Sequence, residues 1–373
     1  MRDRFAFIIH PVDPQKDVAR KYPALGKLPP GIIDYFSRFF PPVLLSHVVG
    51  IRSQATGKEI EGWLIACPLT PKRMMAVSEE TAYRKIVQTG RLAEQLGAQI
   101  LGLGAFTSVV GDAGLTISRR LSVPVTTGDS YTVAVAVEAT LEAARKMGYD
   151  PIHCTAAVVG AYGATGRACA QLLVGQVSDL VLVGRQEERL REVQQQVQAR
   201  GAQARIDTRL AAIQQADLVL TVTSAFEPII EPEHLKPGAV VCDVSRPRNV
   251  SRHVATQRKD VLVIEGGVVD LPGGADWGFN FGFPPGQTYA CMAETVLLAL
   301  EGRFESFTLG RNISLHRVQE IAALAAKHGV RLSGFRSFER PVTGEQIRQV
   351  REAACLTRGQ VPDLDGSVAL KMA

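Results

Sequence analysis

The chain has 373 residues, 46% of them hydrophobic and 21% charged, which is enough apolar material to build more than one buried core. A formal net charge of +5 is too mild for a nucleic-acid-binding surface and is compatible with an anionic ligand. Six scattered cysteines without a CxxC pair exclude a disulfide framework and a zinc-finger spacing, and no run of about eighteen apolar residues is present to span a membrane.

The N-terminal stretch "MRDRFAFIIHPVDPQKDVARKYP" has too short an apolar run for a signal peptide, so the expected compartment is cytoplasmic. "FAFIIH" predicts a strand, and "GIIDYFSRFF" a helix stopped by Pro41 and Pro42. "LLSHVVGI" and "KEIEGWLIAC" predict two strands about a turn at Thr56 and Gly57, and a long helical pattern follows from Pro71 to Gly97. "AQILGLGAFTSVVGDAG" predicts a buried strand running into a glycine-rich loop, in which Thr107 and Ser108 offer hydroxyls; an ordinary strand-to-helix turn fits equally. The next loop, "VPVTTGD", leads into a helix from Tyr131 to Met147.

From Cys154 the pattern turns to regular alternation. Apolar strands are predicted at "TAAVVG", "DLVLVG", "ADLVLTV", "AVVCDV" and "VLVIEG", several of them separated by amphipathic helices, as in a parallel sheet covered on both faces. The first of these runs into "GAYGATG", with glycines at 160, 163 and 166 and Thr165 between the last two. This spacing lets a pyrophosphate approach the backbone at a helix N-terminus, so a dinucleotide site is predicted there. The second strand ends at Gly184-Arg185, where an NAD site would carry a carboxylate for the ribose 2′-hydroxyl. A guanidinium pairs with a 2′-phosphate, which favours NADPH; alternatively Arg185 merely opens a solvated helix. Ser224 follows the "ADLVLTV" strand at the end where such sheets bind ligands. Asp243, Ser245, Arg246 and Arg248 end the next strand, to face a ligand or to shape loops.

Beyond Gly267 an irregular stretch leads to "PPGQTYACMAETVLLALEG". Its helix is expected to start at Gln287 or Thr288, placing Cys291 in the opening turns, where the helix dipole lowers a thiol pKa. The same cysteine also suits a packed helix. A further helix is expected over "SLHRVQEIAALAAKHG", and one more over "TGEQIRQVREAA", which opens on a Thr343/Gln346 capping box.

The segments "SQATGKEIEGWLIAC", "LGLGAFTSVV", "VTTGDSYT", "VVGAYGATG", "VGRQEERL", "DVSRPRNV", "EGGVVD" and "YACMAETVLLALEG" together give the chain a family resemblance. It resembles the long-chain acyl-[acyl-carrier-protein] reductases, which form fatty aldehydes from acyl thioesters with NADPH. The resemblance implies that Cys291 accepts the acyl group and that Gly160, Gly163, Thr165, Gly166, Arg185 and Ser224 serve NADPH. It further implies that Phe106, Thr107, Ser108, Thr127 and Asp129 line the acyl pocket, with a thioester of acyl-carrier protein or coenzyme A as partner. The family pattern has Asn where this chain has Asp129, and His where it has Tyr131.

The expected architecture is α/β: an acyl-binding domain over 1–150, a Rossmann-type parallel-sheet NADP domain over 151–283, C-terminal helices over 284–340 packing back and carrying the cysteine, and a polar basic tail over 341–373. The alternative is a non-covalent NADP-dependent dehydrogenase of the shikimate and amino-acid dehydrogenase type, with Lys85 and Asp129 as proton-transfer candidates.

Overall fold

A computed structural model of the chain describes residues 2–225, 227–280 and 282–359. The chain divides into two compact units, each made from two stretches of sequence: Met1–Tyr131 with Val269–Arg331, and Thr132–Val268 with Leu332–Ala373. The four consecutive segments expected from sequence therefore give way to two interleaved units. Composition changes along a chain do not reveal which distant segment returns to complete a core.

The first unit holds a mixed sheet. Strands β1 (Asp3–Ile9), β2 (Val43–Arg52), β3 (Glu59–Ala66), β4 (Ile100–Leu103) and β5 (Val125–Thr126) join Gly273–Asp276 in the order Gly273–Asp276, β2, β3, β1, β4, β5. Strands β3, β1, β4 and β5 run parallel, while β2 is antiparallel to β3. Parallel pairing is why β1 and β4 read as continuous apolar runs; Phe5, Phe7, Ile8, Ile100 and Leu103 are all buried. The helix Ala290–Glu301 lies over β1 and β4. The expected helix from Pro71 to Gly97 is two, Pro71–Ala76 and Glu79–Gln95, because the Ser78 side chain accepts the Thr81 N–H and starts a fresh helix.

The second unit is a six-stranded parallel sheet. It contains β6 (Thr155–Val159), β7 (Asp179–Val183), β8 (Gln203–Asp207), β9 (Leu218–Thr221), β10 (Val240–Asp243) and β11 (Leu262–Glu265) in the order β8-β7-β6-β9-β10-β11. This is the Rossmann order, whose strand direction of growth reverses between β6 and β9, and ligands of such sheets bind at that reversal. The helix Gly344–Thr357 also belongs to this unit and carries the expected capping box, with Thr343 and Gln346 bonded reciprocally. Cys355 is buried there, so the region just after residue 341 is a packed helix; residues 360–373 of the expected tail lie outside the described residues.

The residues after β10 turn out to be structural. Asp243 is buried and accepts the backbone N–H groups of Ser245, Asn249 and Val250 at 3.0, 2.8 and 3.0 Å. Arg246 and Arg248 pair with the buried Glu265 at 3.3 and 2.8 Å. Truncating Asp243→Ala orphans three buried amides, so urea unfolding is expected to show a loss of about 3 kcal/mol in stability.

Candidate functional site

The nucleotide-type turn joins β6 to the helix Ala164–Leu173. Gly160 sits at φ +86°, and a side chain there would strike the Val222 carbonyl oxygen at 2.4 Å, at the end of neighbouring β9. Only glycine therefore fits at the reversal point. Gly166 lies so close to the turn that a Cβ would fall 2.2 Å from the Gly160 oxygen, so the third glycine brings helix against strand. Gly163 is the N-cap and no side chain caps this helix, leaving first-turn N–H groups, Thr165 among them, for an anion. These residues fit a dinucleotide pyrophosphate.

Arg185 follows β7 and is exposed, with no ion pair or hydrogen bond among the described residues. Gly184 before it gives room to the Tyr162 ring, 2.6 Å from where its Cβ would stand, and the Arg189 guanidinium lies 4.5 Å over that ring. Ser224 is exposed in the loop after β9. That loop is held by Asn249, whose Oδ1 accepts from Thr221 and Thr223.

In the first unit, the loops that follow the parallel strands β1, β4 and β5 leave from the carboxyl end of the sheet. After β1 comes His10, whose Nε2 accepts the Phe106 N–H at 3.0 Å. Burial pushes this imidazole down to about 4, against the raising effect of the Pro11 carbonyl, so it is neutral and able to accept. His10 was not among the candidates from sequence, where it is merely the last letter of "FAFIIH". After β4, Phe106, Thr107 and Ser108 form a short helix. Their hydroxyls are already committed: Thr107 Oγ1 donates to the Gly104 carbonyl at 2.8 Å and Ser108 Oγ to that of Ala105 at 2.6 Å. Ala105 itself is held at φ +47°, an uncommon angle for a residue with a side chain.

After β5, Thr127, Gly128 and Asp129 meet the helix that carries Cys291. Gly128 has φ +79°, and a Cβ there would stand 2.4 Å from Cys291 Cα and 2.5 Å from its Cβ. The glycine of "TTGD" is therefore an imprint of the cysteine helix. That helix begins at Ala290, because Gln287–Tyr289 form a short strand; Cys291 is its second residue rather than its fourth or fifth. Glu294, one turn further, was not singled out from sequence, although a glutamate inside an apolar helix is its own signal. It is fully buried and accepts from Thr126 Oγ1 at 2.5 Å, Thr308 Oγ1 at 2.8 Å and the Tyr131 N–H at 2.8 Å.

All six cysteines are free, and Cys291 alone is not fully buried. The expected lowering of its pKa does not hold. Burial first, and then the charge of Asp129, push the thiol up to about 12, outweighing the helix dipole. Asp129 is itself pushed up to about 7 by burial, with a hydrogen bond from Thr127 Oγ1 at 3.0 Å acting against it and Glu294 adding to it. Lys85 sits elsewhere in this unit, its ammonium donating to the Phe40 carbonyl at 2.8 Å on the surface. Among the described residues no helix is long and apolar enough to cross a membrane.

The shikimate / quinate 5-dehydrogenase family model matches residues 142–265, the stretch that builds the parallel sheet. Aminotransferase PigE of Serratia sp. is 33% identical over 307 residues, which cover 80% of this chain and 35% of that protein, so the chain spans about a third of its length. The long-chain acyl-[acyl-carrier-protein] reductase of Synechococcus elongatus is 32% identical over 305 residues, covering 78% of this chain and 87% of that one. The chain belongs to that reductase's family. Among solved structures, quinate dehydrogenase of Corynebacterium glutamicum aligns over 86% of this chain and 99% of its own at 13% identity, with a TM-score of 0.37.

The electrostatics at Cys291 yield a direct expectation. Asp129→Asn removes a negative charge that opposes the thiolate, so iodoacetamide should alkylate Cys291 several-fold faster at pH 8, as read by mass spectrometry. The same change bears on stability. A carboxyl whose folded pKa is raised from 3.8 to about 7 favours folding at low pH and loses that contribution as pH rises through 7. The thermal midpoint of Asp129→Asn, relative to the unsubstituted protein, should accordingly be higher at pH 8 than at pH 4.

Proposed function

We propose that the protein is an NADPH-dependent oxidoreductase that reduces a long-chain acyl thioester, carried on acyl-carrier protein or coenzyme A, to the fatty aldehyde through an acyl-enzyme on Cys291. The observation that carries the reading is that Cys291 alone of the six cysteine residues is half-buried rather than buried, and that it stands at a helix N-terminus against a loop whose glycine is shaped to it. Five buried cysteines with no access make poor nucleophiles. Family membership supports the same chemistry.

In this reading Cys291 Sγ attacks the thioester carbonyl, the carrier thiol leaves, and the acyl group rests on the enzyme as a new thioester. Burial and Asp129 both disfavour a free thiolate, so the Sγ proton leaves as the carbon–sulfur bond forms rather than beforehand, and ends on the departing carrier sulfur, which leaves as the thiol. When Asp129 is protonated, which its pKa of about 7 permits at neutral pH, its charge no longer opposes that step. NADPH, if bound at this turn, would supply the hydride for reduction of the acyl-enzyme; the aldehyde would leave with cleavage of the carbon–sulfur bond, and the Cys291 thiolate would take a proton from solvent. Gly160, Gly163, Thr165 and Gly166 hold the pyrophosphate, Arg185 the 2′-phosphate, and Ser224 borders the same crevice. Phe106, Thr107, Ser108, Thr127 and Asp129 line the acyl side; because the Thr107 and Ser108 hydroxyls already donate to the backbone, these two shape the pocket rather than donate into it.

Incubation with a radiolabelled acyl thioester and no NADPH should leave label on Cys291, and Cys291→Ala should form no aldehyde. Undiminished aldehyde formation by that variant would overturn the covalent route. For the cofactor, Arg185→Glu is expected to weaken NADPH binding about tenfold or more while leaving NADH binding little changed, measured by nicotinamide fluorescence titration.

A further inference from the structure

The helix Pro30–Ser37 in the first unit is turned inside out. Its buried face holds Asp34 and Ser37 beside Ile33, while Ile32, Tyr35 and Phe36 point to solvent. A surface helix in water ordinarily buries its apolar stripe and exposes its polar one. Phe39 and Phe40 extend the outward surface past the helix end, and the four aromatic side chains are 45–64% exposed. Three of them form one cluster: Tyr35 lies 5.3 Å from Phe36 and 6.2 Å from Phe39, and Phe36 lies 6.3 Å from Phe39, ring centre to ring centre. Contiguous exposed apolar surface of this kind marks a contact with something apolar.

Charge indicates what that something is. Between Val18 and Leu44 the sequence has four basic residues and one acidic residue, Asp34. Asp34 is consumed inside the unit by Arg73 and Thr70. Arg38 rests on the cluster, its guanidinium 4.2 Å over Tyr35 and 4.6 Å over Phe39. Lys85 is tied to Phe40 through that residue's carbonyl, and Lys21 to Leu45 in the same way at 3.0 Å. Lys21, Lys27, Arg38, Lys72 and Lys85 have no carboxylate partner among the described residues.

We propose that the outward face of Pro30–Ser37, with Phe39 and Phe40, is a peripheral binding surface for an anionic lipid bilayer. Aromatic rings enter the headgroup boundary and the unpaired cations meet lipid phosphates, which is the division of labour at membrane interfaces. An acidic protein satisfies the cations but does not call for a cluster of three exposed rings, with Phe40 exposed beside it in sequence, on and just past a helix whose polar face is buried. The surface stands on its own observations and does not depend on the acyl-thioester reading.

Flotation with vesicles tests it, using phosphatidylcholine alone and phosphatidylcholine containing about a quarter phosphatidylglycerol. The full chain should float with the anionic vesicles about tenfold more than with neutral ones, and less as salt is raised. The double variant Phe36→Ser/Phe39→Ser, and separately Lys27→Glu/Arg38→Glu, should each cut that binding about tenfold. Phe36, Phe39 and Lys27 are exposed and Arg38 is half-buried, and circular dichroism checks that each variant is folded. Failure of the parent protein to float, or equal flotation of the folded aromatic variant, overturns the proposal. So does sedimentation velocity showing a dimer that the aromatic variant dissociates, which would make the face a contact between copies. Capture of acyl-carrier protein without lipid binding, abolished by the same variants, would overturn it in favour of protein docking.

Discussion

The candidate site depends on one buried carboxylate. Glu294 stands one turn after Cys291 and draws in the hydroxyls of Thr126 and Thr308 and the N–H of Tyr131, residues from two stretches of chain far from each other in sequence. A buried acid without such donors would be prohibitively costly, so the loop around Gly128 and the segment at Thr308 are obliged to close on the helix. Gly128 can then approach Cys291 only because it lacks a side chain. The placement of the thiol and the raised pKa values of Asp129 and Cys291 follow from the same closure: it removes water from three acidic groups at once.

The second unit uses the same device at a different place. Asp243 gathers three backbone amides and Glu265 gathers two arginines, and together they fix the loop after β10. The loop after β9 is held through Asn249. The glycine turn at the sheet reversal is thus bordered by loops that are hydrogen-bonded internally, and the exposed Arg185 has no ion pair or hydrogen bond among the described residues.

Much of this was legible in the sequence wherever a local rule governs. Five of the six strands of the second unit's sheet announce themselves as short apolar runs, while the polar edge strand β8 does not; Gly160, Gly163 and Gly166 announce themselves by their spacing, because one strand, one turn and one helix determine them. The capping box at Thr343 was legible for the same reason. The domain division was not, since residues 269–331 complete a sheet begun at the N-terminus and nothing local marks that return. Cys291 could be nominated from its position near a helix start, but its pKa could not: that depends on Asp129, distant in sequence, and on burial. Glu294, His10 and the reason for Gly128 were hidden for the same cause. Each matters through a neighbour contributed by a distant segment of the chain.

The interleaving of the two units also bears on how the chain comes into being. Strands β1 to β5 leave the ribosome first, yet the helix Ala290–Glu301 that covers β1 and β4 is made only after the whole parallel sheet. Chains fold domain by domain as they are synthesised, and a unit whose covering helix arrives late keeps an apolar sheet face open in the meantime. The first unit to begin is therefore the one that waits. Its cysteine reaches its place only when that late helix docks, so no partly made chain presents the thiol in its site.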